Sequence, residues 1–163
     1  MKRLAAALLV IVALVGGAAL YLRLSANLSA QGAYIEVHPA AGSLAVFDDL
    51  KARLEDGSFT GEVVSDADLG SPDGYEFLVY TVRLRNYGML PAEWIRIEIA
   101  PEREWDVIAL GETRGFSLAA FSTGALSGTM LARSGGNPAR TVTIRYYVYG
   151  RMLTIDVPVV RVV

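Results

Sequence analysis

The stretch "YTVRLRNYGMLPAEWIRIEI", Tyr80–Ile99, decides the fold class. On both sides of Asn86-Tyr87-Gly88, apolar residues fall at every second position. Tyr80, Val82 and Leu84 alternate with Thr81, Arg83 and Arg85; Ile95, Ile97 and Ile99 alternate with Trp94, Arg96 and Glu98. A period of two puts one set on each face of an extended chain. Two strands joined by a turn at Asn86–Gly88 are therefore expected, each with one face toward a core.

The same period recurs along the chain. Leu78 extends the first stripe upstream. In "RTVTIRYYVYG", Val142, Ile144, Tyr146 and Val148 alternate with Thr143, Arg145, Tyr147 and Tyr149. In "RMLTIDVPVVRVV", Leu153, Ile155, Val157 and Val159 form the stripe. Weaker candidates are "AYIEVHP", "SFTGEVVS", "WDVIAL", "GFSLAAF" and "ALSGTMLA", with turn formers such as "STG" and "SGGNP" between them. About seven short strands at roughly 8–12-residue intervals, each with one apolar face, point to an antiparallel β-sandwich. No helices alternate with the strands, which disfavours a parallel sheet.

One amphipathic helix is expected over 43–56. Leu44, Phe47, Leu50 and Leu54 share a helical face, and Asp48, Asp49, Lys51, Arg53 and Glu55 form the solvated side. Ser43 suits the N-cap and Gly57 the C-cap.

The N-terminal part is of another kind. "LAAALLVIVALVGGAALYL", Leu4–Leu22, holds neither charge nor proline. As a helix it rises about 28 Å at ~1.5 Å per residue, close to the ~30 Å hydrocarbon core of a bilayer. Lys2 and Arg3 precede it, and only Arg23 follows directly. That bias puts the N-terminus in the cytoplasm and the remainder outside. The expected organisation is a transmembrane anchor over 1–23, a spacer over 24–33, and a sandwich domain over 34–163. The rival is a cleaved signal peptide, with Leu28-Ser29-Ala30 as cleavage site before Gln31. The apolar run exceeds the usual ~7–15-residue signal core, which favours an uncleaved anchor.

Composition narrows the function classes. The chain has 163 residues, 53% of them hydrophobic, and no cysteine, so neither disulfide nor thiol-linked lipid is available. Removing Lys2, Arg3 and Arg23 from the 15 basic residues leaves 12 against 17 acidic ones. That balance argues against nucleic acid as a partner and offers no polybasic run for anionic lipid.

The residues "VRLRNYGMLPAEWIRIEI" also resemble the core hairpin of bacterial immunoglobulin-like accessory modules, the CARDB and related cell-surface families. Asn86 and Gly88 match their turn, Ala92 their small position, and Ile95, Ile97 and Ile99 their second strand. The resemblance implies an immunoglobulin-like fold used for spacing and adhesion rather than catalysis.

Candidates for chemistry are sparse. His38 is the one histidine, too few for a Ser-His-Asp site or a zinc centre of three or four ligands. No catalytic residue, metal site or cofactor is expected, and the protein is read as not an enzyme. Asp66, Asp68 and Asp73 in "SDADLGSPDG" begin like a calcium loop. Gly70 and Phe77 then stand where further ligands belong, so a solvated turn is the favoured reading. The outward residues Arg83, Arg85, Trp94, Arg96, Arg145, Tyr147 and Tyr149 are the candidate partner-binding face, since arginine and aromatic rings are enriched in binding hot spots. Against this stands the plainer reading, cross-strand pairs that stabilise an exposed face.

The expected function is that of a single-pass protein of the cytoplasmic membrane, held through residues 4–22. Its extracytoplasmic sandwich would bind another envelope protein as a scaffold or interaction module. The alternative is a cell-wall carbohydrate-binding or secreted module, for which Trp94 or Trp105 in a cleft with converging carboxylates would be the mark.

Overall fold

The computed structural model describes residues 2–24, 27–65, 68–112, 116–160 and 162–163. Helix α1 (Lys2–Leu24) is followed after three residues by β1 (Leu28–Pro39), a 3-10 turn (Ala40–Ser43) and α2 (Leu44–Glu55). The remaining strands are β2 (Glu62–Val63), β3 (Tyr75–Asn86), β4 (Ala92–Ile99), β5 (Asp106–Glu112), β6 (Phe116–Leu118), β7 (Thr123–Arg133), β8 (Arg140–Val148) and β9 (Arg151–Val159).

Two antiparallel sheets face each other. One has the order β1-β3-β7-β5-β2, the other β6-β4-β8-β9. The protein is thus mainly β, with the two-sheet architecture expected. The alternating stripes fill the space between the sheets: Leu78, Tyr80, Val82 and Leu84 from one side, Ile95, Ile97, Val142, Ile144 and Tyr146 from the other, all buried. Burial of this kind contributes roughly 25 cal/mol per Å² of apolar surface removed from water. The sheets pack closely at Gly128, where a Cβ would lie 3.0–3.1 Å from Ile99 and Ile97 of the facing sheet.

A second apolar cluster sits on the opposite face of the five-stranded sheet. Phe77, Leu131 and Ile108 lie in one row across β3, β7 and β5, and α2 covers them with Phe47 and Leu50. Leu44, expected on the inward face of α2, is exposed instead. It stands at the helix start, and only Phe47 and Leu50 of α2 are buried. Gly57 follows the last turn with φ +72°, the left-handed conformation that ends a helix cheaply at glycine.

Three expectations are corrected. First, the spacer over 24–33 is mostly strand: β1 starts at Leu28, and Leu28 to Ala33 pair with Asn86 to Val82 of β3, around a bulge at Ala30–Gly32. Main-chain hydrogen bonds do not require a long apolar stripe, and this segment brings only Leu28 and two alanines to the core. Second, "SFTGEVVS" contributes only Glu62 and Val63 as strand. Third, Tyr80–Ile99 is not a hairpin. β3 and β4 belong to different sheets, so the segment between them turns a corner from one layer to the other.

Asn86 holds that corner. It is buried, and its Nδ2 donates to the carbonyls of Leu90 at 2.8 Å, Ala119 at 3.1 Å and Leu118 at 3.3 Å. Its Oδ1 accepts the Gly88 N–H at 2.9 Å. One side chain thus pairs main-chain groups of a bend that neither sheet can satisfy.

Among the described residues, no helix is long and apolar enough to cross a membrane. The side chains described in α1 are those of residues 8–21. Its large apolar ones are exposed by 58–71%, and they point in every direction around the helix.

Candidate partner-binding face

The seven residues expected on one Arg/aromatic face divide among three places. Arg83 and Arg85 lie on β3, on the outer face of the five-stranded sheet. The Arg85 guanidinium carbon sits 4.7 Å from the ring centre of Tyr87, a cation–π contact. Trp94, Arg96, Arg145 and Tyr147 lie together on the outer face of β4 and β8, in the other sheet. Tyr149, expected to continue the β8 alternation, occupies the β8–β9 turn with Gly150. Their φ values of +50° and +72° suit a two-residue type I′ hairpin.

The group on β4 and β8 is shaped by a bulge. Glu93 pairs with Tyr147 and Arg96 with Arg145, so Trp94 and Ile95 together face the single residue Tyr146. Strict alternation from Ala92 would turn Trp94 inward. The extra residue resets the phase, and Ala92 and Ile95 are both fully buried while Trp94 is 63% exposed. Trp94 has φ +52°, a left-handed conformation that is unusual for a bulky side chain. The backbone is thus strained where it turns the indole outward.

A shallow groove of about 410 Å³ opens there, lined by Glu93, Trp94, Arg96, Arg145, Tyr147 and Gly150. Its electrostatics are unbalanced. Arg96 stands directly opposite Arg145, a placement that destabilises a sheet. Arg145 is held by Glu98, Nη2 donating to Oε2 at 2.9 Å. Its Nε is buried and has no partner among the described residues. Arg96 makes no ion pair among the described residues. The groove therefore offers two guanidinium groups, two aromatic rings and one carboxylate.

The other candidates lie elsewhere. His38 is exposed on β1, 3.4 Å from the Glu36 carboxylate. Trp105 is half-buried with its indole over Gly136, where a Cβ would meet it at 2.9 Å, and it does not line the groove. Asp68 is exposed, and Asp73 accepts from the Ser71 hydroxyl at 3.1 Å. Asp66 lies outside the described residues. Among those residues no three acidic or histidine side chains gather as a metal site would require.

Sequence reasoning missed one buried polar cluster, at the end of the sandwich away from the Asn86 corner. Asp106 of β5 is wholly buried and binds Arg140 of β8 through both carboxylate oxygens, at 3.1 Å to Nε and 2.8 Å to Nη2. Arg140 also meets Glu102 at 3.1 Å and the carbonyls of Asn137 and Ala139. Burial opposes its charge, but the hydrogen bonds and charge of Asp106 outweigh this and hold its pKa above the ordinary value. Nearby, the Tyr80 hydroxyl donates to the Pro138 carbonyl at 2.8 Å, and burial pushes its pKa up.

No family model matches this chain, and no curated protein matches its sequence. Solved structures give distant likenesses. A FixG-related protein from Vibrio parahaemolyticus is 9% identical, with 52% of this chain and 78% of that one covered, at a TM-score of 0.31. The GAE domain of GGA2p from Saccharomyces cerevisiae is 6% identical, with 62% and 96% covered and a TM-score of 0.37. The secreted serine protease VesC from Vibrio cholerae is 10% identical, with 72% and 26% covered and a TM-score of 0.31.

Proposed function

We infer that the protein is a single-pass, membrane-anchored β-sandwich whose extracytoplasmic domain works as a non-catalytic interaction module in the cell envelope. The anchor is α1. Among the described residues α1 does not reach the length and apolarity of a span; the anchor reading rests on the full sequence run Leu4–Leu22, which has that length, and on the large apolar side chains of residues 8–21, which are mostly exposed. Signal-peptide cleavage before Gln31 fits the fold poorly. It would remove Leu28, which is buried against the core, and the Asn27 carbonyl that accepts the Tyr87 N–H at 2.7 Å.

The binding reading rests on one observation: Trp94 is held outward in a strained bulge beside two opposed arginines. Strained backbone and like-charge pairs cost stability and gather at functional sites. The chemistry of the groove suits a protein segment that presents a carboxylate next to an apolar side chain. The carboxylate would bridge Arg96 and Arg145 while the apolar group packs on Trp94 and Tyr147. A carbohydrate site of the acid-pair kind is less favoured, because Glu93 is the single carboxylate in the groove.

The test is site-specific photo-crosslinking in membranes of the source cells. A photoreactive side chain in place of Glu93, which lines the groove but takes no part in the proposed contacts, should capture a defined protein neighbour, whereas one in place of Arg83, on the other sheet, should not. Capture of glycan alone, or equal capture from both sites, would remove the groove as a protein-binding face.

A further inference from the structure

We propose that the end of the sandwich from which α1 departs is a membrane-contacting surface, its loop tips seated in the headgroup layer of the bilayer that α1 spans. This rests on the anchor reading of α1 and deepens it.

Strand pairing defines this end. Leu28 pairs with Asn86, Arg85 with Thr123, Ala92 with Leu118 and Glu93 with Tyr147. The β3–β4 corner, the β6–β7 loop and the β8–β9 turn therefore project together beside the start of β1.

Each of these connections exposes apolar side chains. Tyr87 and Met89 stand on the corner, Phe121 on the β6–β7 loop and Tyr149 on the β8–β9 turn, with Phe121 62% and Tyr149 90% exposed. Phe121 (φ +59°), Tyr149 (φ +50°) and Trp94 are the non-glycine residues with positive φ among the described residues. Two of the three carry aromatic rings at loop tips, and the third is two residues into β4 at the same end. Left-handed backbone is costly for such residues; at Tyr149 the tight β8–β9 hairpin requires it.

The tether selects the occupant. Three residues separate Leu24 of α1 from Leu28 of β1, so this end lies within about 14 Å of the helix terminus. The cleft beside α1 places Tyr149 and Gly150 across from Gly16, Ala19 and Leu20. Those residues lie roughly 6–12 Å along the helix before its end at ~1.5 Å per residue, a depth typical of interfacial side chains. Phenylalanine and methionine at that depth bury apolar surface, and tyrosine does so while its hydroxyl stays wet. Arg85, stacked on Tyr87, and Arg151 beside the turn add positive charge toward lipid phosphates.

The absence of native cysteine makes the test direct. Single variants Val12→Cys, Met89→Cys, Phe121→Cys, Tyr149→Cys and Leu44→Cys of the full chain would be spin-labelled and reconstituted in phosphatidylcholine–phosphatidylglycerol nanodiscs. Collision of each label with oxygen and with a water-soluble nickel complex reports its depth. Val12 in α1 should be lipid-immersed, and Leu44 on α2, away from this end, should be aqueous. The proposal expects oxygen to exceed nickel severalfold at positions 89, 121 and 149. Met89 has no positive φ, so its label reports even if the other two variants fold poorly. Labels at 89, 121 and 149 as accessible to nickel as Leu44, with Val12 still immersed, would overturn the proposal and leave the anchor standing. An aqueous Val12 label would overturn both. Labels shielded from both reagents would mean that a protein surface covers this end, and would also overturn it.

Discussion

The Asp106 carboxylate and the Arg140 guanidinium join the two sheets through a pair of parallel hydrogen bonds, of 3.1 and 2.8 Å, with almost no exposure of either side chain. Asp106 lies on β5 and Arg140 on β8, so the pair fastens one end of the sandwich across its layers. Asn86 fastens the other end by pairing the main chain of the β3–β4 corner.

Cutting the ion pair on one side leaves a buried charge alone. Arg140→Ala and Asp106→Ala should each destabilise the fold by about 3–5 kcal/mol. The double variant should cost clearly less than the sum, because neither charge is then stranded. Urea unfolding of the four proteins, with unchanged m-values, measures the coupling. Additive losses would mean that the pair contributes little beyond its separate contacts.

At the opposite end, Asn86→Ala would strand the Gly88 N–H and the carbonyls of Leu90, Leu118 and Ala119. A loss on the order of 3 kcal/mol is expected, read as a lower urea midpoint. Asn86→Asp should do no better, since a carboxylate cannot donate to three carbonyls.

Trp94 predicts a trade between stability and binding. Trp94→Gly relaxes the left-handed backbone while removing a side chain that is largely in water. The variant should be about 1 kcal/mol more stable and should lose crosslinking from the groove. A clear loss of stability would show that the indole supports the fold rather than a partner.

The opposed arginines predict the same trade independently. Arg96→Glu turns a like-charge pair into an opposite one, which should stabilise by up to about 1 kcal/mol and abolish capture of a carboxylate-bearing partner. The stability gain should shrink as salt rises.

Tyr80 predicts the alkaline limb. Its pKa is raised in the fold by burial, so the unfolded chain releases the proton first, near the ordinary value of about 10. Stability is complete below that pH and is lost as pH rises above it toward the folded pKa. Tyr146 shifts in the same direction, also through burial. Thermal unfolding between pH 8 and 11 should show the decline, and Tyr80→Phe should flatten it at the cost of the hydrogen bond to Pro138.

Local pattern alone was enough for the strands with unbroken alternation. β3, β8 and β9 fall where their apolar stripes place them, because a period-two stripe can be buried only by an extended chain. The amphipathic segment likewise becomes α2, since Phe47 and Leu50 are one turn apart. Four features depended on residues distant in sequence. Leu28–Ala33 is strand because β3 offers it hydrogen-bonding groups, which side-chain pattern does not encode. The opening stretch is a corner rather than a hairpin, because alternation says which face is inward and not which sheet a strand joins. Arg83 and Arg85 are parted from Arg96 and Arg145 for that same reason. Asp106 and Arg140, 34 residues apart, read as surface charges until the two layers close and exclude water from between them. Sequence sets the faces of each element through side-chain periodicity. Which faces meet is settled by packing, where area buried and polar groups satisfied are counted over the whole chain at once.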